Sequence, residues 1–149
     1  MAKTLGYLIT WTTYGTWLQG DRRRYVKDGQ ICPPNENLLQ VNRDLQIQDV
    51  VKLSKAHQNI VRQAIIEEAA LQKQHICALS VKSSHIHIVV EYIPQPIDKL
   101  VAHYKSAARI ALKTVGHTGK LWTKGYDKRF CFDKQALEQK IRYVQNHNK

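Results

Sequence analysis

The sequence has no apolar run near the ~20 residues that a membrane-spanning helix needs, which argues against a bilayer span. Cysteine is sparse. Cys32, Cys77 and Cys131 are an odd number, widely spaced and without a Cys-x-x-Cys pair. That argues against a disulfide framework or a cysteine zinc site and fits reduced thiols in a cytosol. The opening Met1-Ala2-Lys3-Thr4-Leu5 lacks an apolar signal region and a small-residue cleavage site, so a cytoplasmic location is expected. Internal repeats and composition shifts are also missing, so residues 1–149 read as one domain. Acidic residues are the remaining shortage: 12 Asp or Glu stand against 23 Lys or Arg, a formal charge of +11. With 43% hydrophobic and 23% charged residues the chain is globular rather than disordered or collagen-like. A basic domain of this size points to a polyanion, nucleic acid first.

What is present reads as an α+β protein. Leu5 to Tyr14 is rich in β-branched and aromatic residues and predicts a first strand. Gly15 to about Asp49 has no sustained period and reads as a long excursion, with a short helix from Val41. Leu53, Ala56, Ile60, Ala64 and Leu71 recur at helical spacing, with Ser54 or a neighbour as cap. His75–Val81 and His85–Tyr92, joined by Lys82-Ser83-Ser84, read as an antiparallel hairpin. After Pro94 and Pro96 a second helix carries Ile97, Leu100, Tyr104, Ala108, Ala111 and Val115 on one side. Leu121 to Phe132 is irregular or a short strand, and a last helix starts near Asp133. This order predicts a ferredoxin-like antiparallel sheet with helices packed on one face.

Two local patterns carry chemistry. In a strand, alternate side chains share a face, so His85 and His87 point the same way about 6.6 Å apart. Two such imidazoles either converge on a metal ion or are ordinary histidines on a solvated face, here the open face of the sheet. On the last helix Leu137, Ile141 and Val144 form the apolar stripe, and Tyr143 and His147 lie one turn apart away from its centre. That tyrosine either covers a helix flank or is placed to bind or react.

Together these patterns resemble the HUH single-tyrosine transposases of the smallest insertion sequences and their REP-associated relatives. The resemblance spans nearly the whole chain. Gly6 to Leu18, followed by Gly20-Asp21, is similar to the family's opening segment, and Ala78 to Val90 to its metal hairpin. Lys105-Ser106-Ala107-Ala108-Arg109 is similar to its central helix. Leu121-Trp122-Thr123, Gly125-Tyr126 and Arg129 match the stretch before its tyrosine helix.

The resemblance implies a metal-dependent nickase and strand transferase for single-stranded or hairpin DNA, acting in transposition. His85 and His87 would be metal ligands and Tyr143 the nucleophile. The family's third ligand lies one turn after the tyrosine, which places His147 there. The commoner pattern has Asn-Pro in this region; here Asn146-His147-Asn148 stands instead, and Asn146 or Asn148 are alternative ligands. The cofactor implied is Mg²⁺ or Mn²⁺, and the product a 5′-phosphotyrosine link with a free 3′-hydroxyl. Relatives act either as homodimers or alone. A non-cleaving, domesticated hairpin-binding relative is the alternative reading, and a phosphodiesterase using water is a third.

Basic residues offer a DNA surface. Lys105, Arg109 and Lys113 repeat every four residues along the second helix. Arg22, Arg23 and Arg24 cluster in the early excursion. Trp122, Lys124 and Arg129 put an aromatic among cations before the tyrosine helix. Cations follow phosphates and aromatics stack on bases, although each cluster is equally readable as a solvated face. Trp11 and Trp17 read as core.

Overall fold

The computed structural model describes residues 3–16, 25–27, 30–32 and 50–148. Arg22, Arg23, Arg24, Trp17 and the helix expected from Val41 lie outside them. The elements in chain order are β1 (Gly6–Thr12), β2 (Tyr25–Lys27), β3 (Gln30–Cys32), α1 (Lys55–Leu71), β4 (Ile76–Val81), β5 (His85–Glu91), α2 (Ile97–Lys113), β6 (Asp127–Cys131) and α3 (Lys134–His147). The main sheet runs β4-β5-β1-β6, and every neighbouring pair is antiparallel. Setting aside the small β2–β3 ladder, the order β-α-β-β-α-β in this arrangement is the ferredoxin-like, split βαβ architecture.

The sheet's alternation builds two cores. Tyr7, Ile9 and Trp11 of β1 and Ile86, Ile88 and Val90 of β5 face α1 and α2. There they meet Val61, Ile65 and Ala69 of α1 and Leu100, Val101, Tyr104, Ala108 and Leu112 of α2. Burying an aliphatic side chain of this size contributes about 1.5–3 kcal/mol, so this layer carries most of the apolar driving force. The Tyr104 hydroxyl donates to the Gln74 side-chain oxygen, and Gln74 in turn donates to the Glu91 carbonyl at 3.2 Å.

The opposite face is not open. Leu8, Ala78 and Val89 pack there against Val144, Leu137 and Ile141 of α3. The α+β antiparallel sheet is as the sequence implies, but α1 and α2 cover one face and α3 the other. The physical reason is visible in β5: Ile88, Val89 and Val90 are all fully buried, and a strand apolar on both sides needs cover on both.

Three further expectations are corrected. The buried stripe of α1 is Val61-Ile65-Ala69, not the stripe through Ala56 and Leu71; Leu71 is 77% exposed. Neighbouring apolar residues give this helix two overlapping stripes, and the docking against β4 and α2 selects one. Val115 is likewise exposed, and Leu112 fills its place in α2. The early excursion contains the ladder β2–β3, whose strands are separated by Asp28-Gly29, a pair that favours two-residue hairpin turns.

Both expected caps form. Ser54 accepts from the His57 amide at 3.1 Å and Asp133 from the Ala136 amide at 2.7 Å. Asp98 in the first turn and Lys113 in the last turn of α2 match the helix dipole. The other end of α3 is tied to the sheet edge, where Asn148 Nδ2 donates to the Leu79 carbonyl at 3.1 Å. Arg62 of α1 reaches the same carbonyl at 2.9 Å, so the two helix layers meet on the edge strand β4.

Gly6 lets α3 approach. A Cβ at this position would lie 2.5 Å from the Val90 carbonyl oxygen and 3.1 Å from Leu137 Cδ1. Gly6→Ala is therefore expected to destabilise the protein by about 1–3 kcal/mol, the usual range for overpacking. Urea denaturation measures this, and an unchanged midpoint would show that the backbone gives way freely.

A histidine triad beside an exposed tyrosine

The two-sided sheet sets the site. Residues 85, 87, 89 and 91 of β5 point toward α3, so the apolar contact of Val89 with Val144 brings the last turns of the helix over His85 and His87. Helical spacing then delivers Tyr143 and His147 to the same place. The ring centroids are 5.0 Å apart for His85 and His87, 4.7 Å for His87 and His147, and 6.4 Å for His85 and His147. One ring nitrogen from each of the three lies within 4.8 Å of the others. The Tyr143 ring is 4.5 Å from that of His147 and 5.7 Å from that of His87. It is 48% exposed, whereas His87 is only 8% exposed.

Hydrogen bonds orient the rings. His147 Nδ1 is 2.9 Å from the Tyr143 carbonyl. A carbonyl only accepts, so Nδ1 carries a proton, which leaves Nε2 as the nitrogen whose lone pair can reach a metal. His87 Nδ1 is 2.8 Å from Thr10 Oγ1, its cross-strand partner on β1. When Nδ1–H donates to Thr10, the Nε2 of His87 is likewise a donor atom for a metal. His85 Nδ1 lies 3.4 Å from Ser84 Oγ, a weaker contact. On the other side of His87, Ser80 of β4 is fully buried and its hydroxyl has no partner among the described residues.

The donor set fits a divalent cation. Three imidazoles from two elements converge, two with Nδ1 in hydrogen-bond contact with an oxygen, and an orphaned hydroxyl stands beside them. Burial pushes His87 down to about 4, helped by the neighbouring His85 and His147. Its ring is therefore neutral and available at physiological pH. Asn148 is engaged with Leu79.

The other sequence-derived candidates are spread more widely. Lys105 is held by the carbonyls of Gly125 at 2.7 Å and Thr123 at 3.1 Å, and burial lowers its ammonium to about 8. It fastens the 121–126 loop to α2. Trp122 donates to the Lys105 carbonyl at 3.0 Å and packs edge-on against Trp11, so it sits at the border of the core. Arg109 and Lys113 are exposed on α2, across the sheet from the triad. Lys124 is exposed on a loop whose Thr123 amide donates to the Thr12 carbonyl at 3.0 Å, and Thr12 is paired with His85. It therefore lies at the triad's end of the sheet. Arg129 is paired with Asp127 on β6 at 3.4 Å. Sequence reading missed Thr10 and Ser80, because only the strand register reveals which residues flank His87.

A family model described as "Transposase IS200 like" matches residues 38–147. The chain belongs to the IS200-like transposase family. Among solved structures it is similar to a REP-associated tyrosine transposase bound to a REP hairpin, with a TM-score of 0.57 and 11% identity over 97% of this chain and 67% of that one. It is also similar to a candidate transposase from Deinococcus radiodurans R1, with a TM-score of 0.50 and 17% identity over 99% of this chain and 93% of that one. At these identities the likeness establishes the shared fold. No curated protein matches the chain. None of the described helices is long and apolar enough to cross a membrane.

The buried His87 gives the metal-free protein a pH signature. Its folded pKa of about 4 lies below the unfolded 6.5, so between these values the unfolded chain binds more protons. Stability is thus expected to rise as pH increases from about 4 to 6.5, with His87 contributing up to about 3 kcal/mol. Urea midpoints of chelator-treated protein measure the slope, and His87→Asn should flatten it. An unchanged slope in the variant would mean that other groups cause it.

Proposed function

We propose that this transposase-family chain cuts and rejoins single-stranded DNA next to a hairpin, with Tyr143 as the nucleophile and His85, His87 and His147 as the metal-binding set. The observation carrying this reading is the tyrosine's position, half exposed to an incoming strand and in ring contact with two of three convergent imidazoles. The similarity to a relative bound to a REP hairpin supports DNA hairpins as the ligand class.

The chemistry follows from these residues. The phenolic oxygen of Tyr143 attacks the scissile phosphorus in line, the bond to the 3′ oxygen breaks, and a 5′-phosphotyrosine ester forms. The phenol's proton is balanced by the one the departing 3′-hydroxyl acquires. One phosphodiester replaces another, so rejoining to a second 3′-hydroxyl requires no external energy source. A bound Mg²⁺ or Mn²⁺ would polarise the phosphate as a Lewis acid. The helical backbone keeps Tyr143 one turn from His147, and the Nδ1 hydrogen bond locks the latter's ring, so nucleophile and ligand set are prearranged. The exposed Lys124 is placed to follow phosphates entering from the His85 end, and Arg109, Lys113 and Arg129 offer further phosphate contacts. Arg22, Arg23 and Arg24 are further candidates for phosphate contact on sequence grounds alone.

The non-cleaving alternative rests on the unusual Asn146-His147-Asn148 sequence. His147 converges with His85 and His87, which favours the cleaving reading.

The test uses labelled single-stranded hairpins from the gene's own flanks, incubated with the protein and Mn²⁺ and run on a denaturing gel. Wild type is expected to form a covalent protein–DNA adduct. Tyr143→Phe should keep hairpin affinity and lose the adduct by at least about a thousandfold, as removing a nucleophile does elsewhere. The double variant His85→Ala/His87→Ala should lose metal-dependent cleavage while remaining folded. An adduct in the Phe variant would refute the role of Tyr143. Binding without any adduct in wild type would favour the non-cleaving reading, and protein-free products a water nucleophile.

A further inference from the structure

A second cluster of metal-ligating side chains lies at the other end of the hairpin. His75, Cys77 and Glu91 each offer a ligand atom, and the three atoms lie within 4.8 Å of one another. Glu91 lies four positions beyond His87, about 13 Å along β5, so this cluster is distinct from the triad. The wide cysteine spacing argued against a cysteine-rich zinc site; the fold instead brings one cysteine to a histidine and a glutamate.

The local backbone explains how. In the β4–β5 ladder Ile76 pairs with Val90 and Ala78 with Val89, so Cys77 is an extra residue, a β-bulge. Alternation is broken there. Ile76 packs on the α1–α2 side, while Cys77 and Ala78 both pack on the α3 side, the side of Glu91. The Glu91 amide donates to the His75 carbonyl at 3.0 Å, which pins the two ligand-bearing backbones together. Gly6, the cross-strand partner of Glu91 on β1, has no side chain to crowd this space. Neither the His75 ring nor the Glu91 carboxylate has a hydrogen-bond or ion-pair partner among the described residues. Burial, with Glu91 and Cys131 nearby, raises the Cys77 thiol, a cost that a bound cation would reverse.

We propose that His75, Cys77 and Glu91 bind a thiophilic divalent cation of the Zn²⁺ or Co²⁺ class, separate from the histidine triad. Imidazole, thiolate and carboxylate together select such ions over Mg²⁺ or Ca²⁺. In a tetrahedral zinc site ligand atoms stand roughly 3.3–3.8 Å apart, so a closure of about 1 Å by rotamer adjustment completes the geometry. His75 and Glu91 are exposed, which leaves the fourth position to solvent. Binding displaces the Cys77 thiol proton to the medium. The ion cross-links the start of β4 to the end of β5.

Cobalt titration of chelator-treated protein tests this independently of DNA cleavage. Co²⁺ should produce a thiolate charge-transfer band in the near ultraviolet, one ion per chain, that Zn²⁺ abolishes by displacement. The band should persist in His85→Ala/His87→Ala, which lacks the triad, and vanish in Cys77→Ser. Glu91→Gln, at an exposed position, should fold normally and bind Co²⁺ about tenfold or more weakly. The site is overturned if wild type shows no thiolate band, if the band survives Cys77→Ser, or if Glu91→Gln binds Co²⁺ as tightly as wild type.

Discussion

The contact of α3 with the second face of the sheet is the constraint on which the site depends. Val144 against Leu8 and Val89, with Leu137 and Ile141 beside it, sets the height and rotation of the helix. Nothing in the His85-Ile86-His87 sequence alone brings a third imidazole or a tyrosine near. Once Val144 is buried, Tyr143 and His147, one residue before it and three after, are carried to the rim above the two strand histidines. Hydrophobic burial, which is non-directional, thereby positions groups whose chemistry is highly directional.

Polar contacts then remove the freedom that burial leaves. Asn148 anchors the end of α3 on the Leu79 carbonyl, Thr10 holds His87, and the Tyr143 carbonyl holds His147. Gly6 permits the close approach at the other end of the helix, where Leu137 meets β1 and β5. The helix is therefore registered at both ends. A slide of one residue along its axis would turn Val144 by about 100° and move both Tyr143 and His147 off the triad.

Much of this was legible in the sequence, and the rest has identifiable physical causes. Strand alternation predicted that His85 and His87 share a face, and the i, i+4 relation predicted that Tyr143 and His147 do. The covered second face was readable too: Ile88-Val89-Val90 is apolar on both sides, which a strand with one open face does not need. The α1 stripe was ambiguous because Ile60-Val61 and Ala64-Ile65 offer two faces of similar hydrophobicity, and only tertiary docking distinguishes them. Thr10 and Ser80 were invisible for a different reason. Their role depends on register between strands that are distant in sequence, and neither residue type announces it. The bulge at Cys77 belongs to the same class, since an inserted residue shows itself only against its partner strand.

The charge distribution adds a final constraint on the proposed encounter with DNA. Among the described residues, the basic line of α2 lies across the sheet from the triad. Arg109 and Lys113 lie on the α2 side of the sheet, and Lys105 is committed to loop carbonyls. Exposed lysines and arginines attract phosphates without regard to sequence, so under the proposed function a strand that touches both α2 and Tyr143 has to pass around a sheet edge. The edges are β4, sealed by Arg62 and Asn148 at Leu79, and β6, which carries Lys128 and Arg129 on exposed positions. The β6 edge joins the side of the basic helix to the side of the histidine triad, with Lys128 and Arg129 along the way. For the proposed function, a duplex stem on α2 with its single strand turning over β6 would reconcile the placement of charge with the placement of Tyr143.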